Sequence, residues 1–103
     1  MNLRGTLPTL ILEAIEREAD HGYSIAQRIK ERSSGVLDFK EGTLYPALHK
    51  LEQEGTVESY EEVEKGRTRR YYRITKAGRA ELAKGRAEWR KVSKAVSGIL
   101  REA

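Results

Sequence analysis

A mainly helical α+β fold with one small antiparallel sheet is predicted for this chain of 103 residues by three observations. Apolar residues recur at helical spacing through the first half of the chain and again through its last quarter. Two segments rich in Val, Tyr, Thr and Ile, residues 56–63 and 68–74, flank Lys65-Gly66, a pair typical of a tight hairpin turn. The length allows one small domain with a small core.

The first two predicted helices are joined by a glycine turn. Residues 7–19 form the first, with Thr6 as its candidate N-cap, because apolar residues recur there at helical spacing. The pattern is interrupted at residues 20–22, where His21 is expected to stabilise the turn. It resumes at Tyr23, which predicts a second helix that ends near Ser33-Ser34-Gly35.

A third helix is predicted to end at Gly55. Its core face is formed by Leu44, Ala47, Leu48 and Leu51. Its other face carries Thr43, Tyr45, Pro46, His49 and Lys50. Because proline cannot donate a backbone hydrogen bond, Pro46 fits best in a first turn, whereas the apolar pattern also allows a start near Glu41. The sequence leaves both starts open.

A cationic block begins at the tip of the hairpin. Four glutamates lie in residues 58–64, whereas residues 65–79 contain no carboxylate. The cations of that block are Lys65, Arg67, Arg69, Arg70, Arg73, Lys76 and Arg79. Such a block attracts a polyanion, although an isolated basic run is more often a solvated surface. The polar face of the preceding helix favours the first interpretation, even though the formal net charge is only +4.

Thr75 is the candidate N-cap of a last helix that runs almost to the end of the chain. Two series repeat every seven residues along it: Leu82, Trp89 and Val96, and Gly85, Val92 and Ile99, with Leu100 widening the stripe. The same short pattern is produced by a face that packs on the chain's own core. Because a small core can cover little of so long a helix, a second copy is the favoured partner. The predicted dimer interface is Leu82, Trp89, Val92, Val96, Ile99 and Leu100.

Several classes of function are disfavoured. The chain has no cysteine, and its two histidines lie in no carboxylate cluster, so neither a metal nor a cofactor is expected. No segment is apolar enough to cross a membrane and the first residues lack a secretory pattern, so a cytoplasmic location is expected. No nucleophile motif, phosphate loop or isolated carboxylate pair is present, which argues against an enzyme.

Three helices, a hairpin and a final helix are the element order of a winged helix-turn-helix. We therefore expect a DNA-binding domain over residues 1–75 and a C-terminal dimerisation helix over residues 76–103, as one structural unit. In such a fold the third helix enters the major groove and the wing follows the backbone. The expected contacts to double-stranded DNA are Thr43, Tyr45, Pro46, His49 and Lys50 from the helix and Lys65, Arg67, Arg69, Arg70 and Arg73 from the hairpin. Tyr45 has a second possible role, as a cap on the core.

The sequence resembles the PadR family of bacterial transcriptional regulators. The matching stretches are His21-Gly-Tyr-Ser-Ile, Gly42-Thr-Leu-Tyr-Pro-Ala-Leu-His-Lys-Leu-Glu-Gln-Glu-Gly55, Gly66-Arg-Thr-Arg-Arg-Tyr-Tyr-Arg-Ile-Thr75 and Gly78. The resemblance implies a homodimer whose last helices exchange contacts, two recognition helices in successive major grooves, and repression by covering a promoter. The single long last helix resembles that of the small subfamily. Some of its members bind flat aromatic compounds between paired tryptophans, which implies an aromatic effector at Trp89.

Two other interpretations remain at this level. One is a winged-helix module whose basic wing binds an acidic protein partner, and the other is a small enzyme with an unrecognised site. Sequence preference on duplex DNA separates them from a repressor, because a repressor prefers its site over random duplex by about 10³-fold or more.

Overall fold

The computed structural model describes residues 5–101 and contains four helices and three strands. In chain order they are α1 (Leu7–Ala14), β1 (Asp20–His21), α2 (Gly22–Arg32), α3 (Glu41–Gln53), β2 (Val57–Glu64), β3 (Arg67–Ile74) and α4 (Lys76–Leu100). The strands form one antiparallel sheet in the order β1-β3-β2. This arrangement confirms the predicted winged helix-turn-helix with a long C-terminal helix. The predicted ends at residues 1 and 103 lie outside the described residues.

One hydrophobic core joins α1, α2, α3, the sheet and the start of α4. Leu44, Leu48 and Leu51 of α3 are buried in it, as the apolar spacing predicted, and Ala47 packs at its edge. Tyr72 and Ile74 of β3 are buried in it as well. Burial of these side chains fixes which face of α3 points to water.

α1 ends at Ala14, so the prediction of a helix over residues 7–19 is wrong in its second part. The chain bends after the helix and pairs Asp20 and His21 with β3, a short strand that the sequence did not predict. Arg28 donates to the carbonyl of Ala14 at 2.8 Å, which satisfies one of the backbone acceptors left open at the helix end. Ile15 stays buried in the bend. Its apolar side chain therefore belongs to the core without belonging to the helix.

α3 begins at Glu41, which decides between the two starts that the sequence left open. Pro46 is thus the sixth residue of the helix and leaves the carbonyl of Gly42 without its helical donor. Both residues are exposed. Water can therefore replace the missing donor, which explains how a proline is accommodated inside this helix.

The wing, defined here as residues 57–74, folds back through the predicted turn at Lys65 and Gly66. Both turn residues have positive φ, 51° and 75°, as a two-residue type I′ turn requires. β2 ends at Glu64 and β3 begins at Arg67, so each strand extends one residue closer to the turn than predicted.

α4 is capped by Thr75, as predicted, because its Oγ1 accepts the N–H of Gly78 at 3.1 Å. The same hydroxyl donates to the carbonyl of Gly55 at 2.7 Å, which ties the helix start to the end of α3. A Cβ at Gly78 would lie 2.1 Å from the carbonyl oxygen of Thr56. The start of α4 is therefore fixed tightly against the helix-turn-helix.

Candidate nucleic-acid interface

The exposed face of α3 carries the five side chains that the sequence predicted for DNA contact. Pro46, His49 and Lys50 are exposed, Tyr45 is 41% exposed and Thr43 is half-buried. The leucines on the opposite side hold the helix to the core. A helix of this kind can present polar groups in a major groove without losing its packing.

Tyr45 packs α3 against the start of α2. A Cβ at Gly22 would lie 2.7 Å from the hydroxyl of Tyr45, so any side chain at position 22 would meet this ring. Of the two roles predicted for Tyr45, packing is thus present, at the edge of the core rather than within it. The exposed part of the ring is left for a ligand.

A cleft separates the start of α2 and Tyr45 from the outer half of β3, and we call it the wing cleft. Its volume is about 230 Å³, and it is lined by His21, Gly22, Tyr23 and Tyr45 on one side and by residues 67–70 on the other. β1 pairs only with Tyr71 and Tyr72, so the outer half of β3 has no strand on this side. Three predicted wing arginines, Arg67, Arg69 and Arg70, thus line the same opening as Tyr45 of α3.

Sequence reasoning missed the α2 side of this cleft, because the segment around His21 was interpreted only as a turn. Gly22 is the one signal that was available: a glycine at a predicted helix start, where the structure brings in an aromatic ring.

The arginines of the wing face carboxylates across the hairpin, which the charge block did not predict. The opposed pairs are Glu58 and Arg73, Glu61 and Arg70, Glu62 and Arg69, and Glu64 and Arg67. Opposite charges in these positions stabilise a hairpin. Because residues 57–74 hold five cations and four carboxylates, the wing attracts a polyanion less strongly than the cationic block alone indicated.

Two of the wing arginines are held near its base. Arg73 lies 3.1 Å from Glu58 and 5.1 Å from the centroid of the Tyr60 ring. Arg70 donates to the hydroxyl of Ser59 at 2.9 Å, and Ser59 donates in turn to Glu52 of α3. Arg73 does not line the wing cleft, whereas Arg70 does. The hydrogen bonds from Arg70 through Ser59 to Glu52 connect the wing to α3.

The tip of the wing holds the available cations. Within residues 5–101, the side chains of Lys65 and Arg67 make no ion pair or hydrogen bond, although Glu64 lies opposite Arg67. Glu64 instead accepts a hydrogen bond from the hydroxyl of Tyr71 at 2.5 Å. This bond lowers the pKa of Glu64 and raises the pKa of Tyr71 to about 12. With Glu64 engaged by Tyr71, Lys65 and Arg67 remain open to an external anion.

The second half of α4 leaves an apolar stripe exposed. Five of the six predicted interface residues lie on it, each between 39% and 79% exposed: Trp89, Val92, Val96, Ile99 and Leu100. Leu82 is different, because it is only 1% exposed and packs in the chain's own core. Its assignment to a dimer interface is therefore wrong, since it has almost no surface left for a partner.

Trp89 also lines a cavity of about 300 Å³ between α1 and α4. Its lining also includes Leu10 and Leu37, together with the polar residues Thr9, Glu13 and Arg86. Arg86 donates to Glu13 at 2.8 Å and to Glu16 at 2.9 Å, which ties α4 to α1 beside the opening.

No helix within residues 5–101 is both long and apolar enough to span a membrane. The same part of the chain contains no group of three or more His, Asp or Glu side chains placed to hold a metal ion.

Comparison with known proteins identifies relatives of this chain. The model of the transcriptional regulator PadR-like family matches residues 11–84. The transcriptional regulator Rv3488 of Mycobacterium tuberculosis is 40% identical over 87 residues, which cover 84% of this chain and 81% of that protein. An uncharacterized protein of Lysinibacillus sphaericus is 37% identical over 95 residues, covering 91% of this chain and 87% of its own.

Solved structures agree with the sequence match. A transcriptional regulator from Clostridium thermocellum superposes with a TM-score of 0.86 at 32% identity, covering 93% of this chain and 91% of that chain. A PadR family transcription regulator from Clostridium difficile does so with a TM-score of 0.80 at 33% identity, covering 91% and 97%. The prediction of a transcriptional regulator rather than an enzyme is confirmed. The chain belongs to the PadR-like family of transcriptional regulators.

Proposed function

We propose that this protein is a cytoplasmic, dimeric repressor that binds a specific DNA site, with α3 in the major groove and the wing on the adjacent backbone. The wing cleft is the observation that carries the proposal. It brings Tyr45 of the recognition helix and residues 67–70 of the wing to one concave surface. Lys65 and Arg67 extend that surface at the wing tip.

Phosphate contacts are assigned to Lys65, Arg67, Arg69 and Arg70, because guanidinium and ammonium groups bind phosphate oxygens with charge-assisted hydrogen bonds. Arg73 should contribute less, since Glu58 already holds it.

Base contacts are assigned to the exposed face of α3. Thr43 offers a methyl group to thymine and Lys50 a donor to guanine, and the neighbouring Tyr45, Pro46 and His49 complete the surface.

Dimerisation is assigned to the exposed stripe on α4. A stripe of five exposed apolar side chains on a small domain is typical of an interaction surface. A two-fold dimer places two copies of α3 on an inverted repeat, which roughly doubles the number of base pairs that are read. The cavity beside Trp89 supports an effector with a flat aromatic group, which would act by favouring one arrangement of the dimer.

Selection of bound fragments from the source genome tests the proposal. A repressor should enrich fragments that share an inverted repeat and should prefer them over random duplex by about 10³-fold or more at fixed salt. Enrichment without an inverted repeat would contradict it. Tighter binding to acidic peptides than to any duplex would instead favour the protein-interaction module.

Two matched wing variants test the assignment of phosphate contacts. Arg67→Ala should weaken binding to all duplexes alike and lower the salt slope by about 1, because one phosphate contact is lost. Arg73→Ala, from the same strand, should change the slope by less, because Glu58 already pairs with Arg73. Equal effects of the two variants would show that pairing inside the wing does not limit its contact with DNA.

A further inference from the structure

We propose that His21 is a positioning residue that holds the guanidinium of Arg69 in the wing cleft and so couples the wing to the helix-turn-helix. The inference rests on the proposed function, because the surface that His21 orders is the one proposed to bind DNA. Its structural part stands on contacts that can be tested without DNA.

His21 lies where β1, α2 and β3 meet. Its Nδ1 accepts the N–H of Ser24 at 3.4 Å, which caps α2. Its ring stands edge-on to Tyr71, with 5.4 Å between the ring centroids and 82° between the planes. Its side chain is only 16% exposed. The ring is therefore fixed by two elements at once.

Arg69 rests against this ring. Its Nη1 lies 3.4 Å from Nδ1 and 3.5 Å from Nε2 of His21. Glu62 is opposite Arg69 in the hairpin, yet within residues 5–101 Arg69 makes no ion pair with it or with any other carboxylate. The guanidinium is thus directed towards α2 and the wing cleft rather than across the hairpin.

The ring of His21 also contacts a part of β3 that β1 does not pair with. The paired part of β1 ends opposite Tyr71, and Arg69 lies two residues farther towards the tip. The ring of His21 therefore contacts β3 beyond the two residues with which β1 pairs.

Holding the Arg69 side chain in place before DNA binds should increase the affinity for DNA. A free arginine loses rotamer freedom when it binds a phosphate, and a side chain that is already held loses less. Removing the ring while keeping Arg69 should therefore weaken binding by roughly 2- to 10-fold.

His21→Asn separates the two roles of His21. Asparagine is among the best N-cap residues, so the variant keeps an acceptor for the start of α2 and loses the ring. Without DNA, the Nε–H NMR signal of Arg69 should move in this variant. The signal of Arg73 is the internal control and should stay, because Arg73 is held by Glu58 and Tyr60 on the same strand.

A double-mutant cycle on the selected DNA site supplies the functional measurement. His21→Asn should weaken binding in the natural chain but have no effect in the Arg69→Ala background, because there is no longer a guanidinium to position. A purely structural role would give the same loss in both backgrounds. If the asparagine variant unfolds, Arg69→Lys replaces it, since lysine keeps the charge and loses the planar guanidinium whose Nη1 contacts the ring nitrogens.

An unmoved Arg69 signal, or equal losses in both backgrounds, would overturn the proposal. If the natural chain selected no duplex at all, the proposed function would fail, and the NMR comparison would still decide whether His21 positions Arg69.

Discussion

The two halves of α4 share one apolar pattern and pack in different surroundings. In the first half, residues 76–86, Leu82 lies in the core, and a Cβ at Gly85 would lie within 2.2 Å of the hydroxyl oxygen of Thr9. In the second half, residues 87–100, the apolar side chains are exposed, and a Cβ at Gly98 would have no neighbour within 4 Å. Heptad spacing therefore identifies an apolar face, but it does not show whether the chain itself or a partner covers it.

Removing Leu82 should have the largest effect on stability. Leu82→Ala deletes a fully buried side chain, so the free energy of unfolding should fall by about 2–5 kcal/mol. Urea denaturation measures it, and the difference from the natural chain should be the same at low and high protein concentration. A difference that shrank on dilution would mean that Leu82 contacts a partner after all, because a lost partner contact lowers stability only while the chain is dimeric.

Charging the second half of α4 should break the proposed dimer and leave the fold intact. Val96→Glu places a carboxylate in the exposed apolar stripe, which should weaken dimerisation by about 2–3 kcal/mol, as for a central interface residue. Sedimentation velocity over a range of concentrations measures the shift to monomer. Lys94→Glu adds the same group on the same helix, outside the heptad positions, and is the control. Two variants with equal dimer affinity would place the interface elsewhere.

Sequence predicted best those features that depend on neighbouring residues. The turn at Lys65 and Gly66 and the cap at Thr75 follow from two to four consecutive residues, and both are confirmed. The strand at Asp20 and His21 was missed because two residues carry no periodicity, and its existence depends on β3, about fifty residues away. α1 was predicted too long for a related reason. Ile15 fits the helical spacing, but it is buried in the bend that follows the helix.

The candidate site shows the same division between features set by neighbouring residues and features set by distant ones. The exposed face of α3 follows from its helical period, so Pro46, His49 and Lys50 were placed correctly on the surface, whereas Thr43 is half-buried. Strand register places the wing arginines opposite glutamates, and a linear charge count cannot show it. The contact of His21 with Arg69 spans 48 residues and required the fold.

Adding one methyl group to the first half of α4 should destabilise the protein modestly. The Cβ of Gly85→Ala would lie 2.2 Å from Oγ1 of Thr9, so α1 or the helix must shift. Overpacking of this kind costs about 1–3 kcal/mol and exceeds the gain of about 0.5–1 kcal/mol from replacing a helical glycine. A net loss of about 1 kcal/mol in urea denaturation is expected. A gain would show that α1 yields easily at this position.

The matching change in the second half should have the smallest effect, and the opposite sign. Gly98→Ala meets open space, so the helical gain of about 0.5–1 kcal/mol should appear in full as higher stability. Residue 98 also lies outside the two heptad series, so dimer affinity should not change. Urea denaturation of this variant therefore measures the stability gain, and sedimentation velocity measures dimer affinity. Higher stability with an unchanged dimer supports a partner seated on the predicted stripe, whereas a weakened dimer means that the partner's backbone approaches Gly98 and that the stripe is rotated towards it.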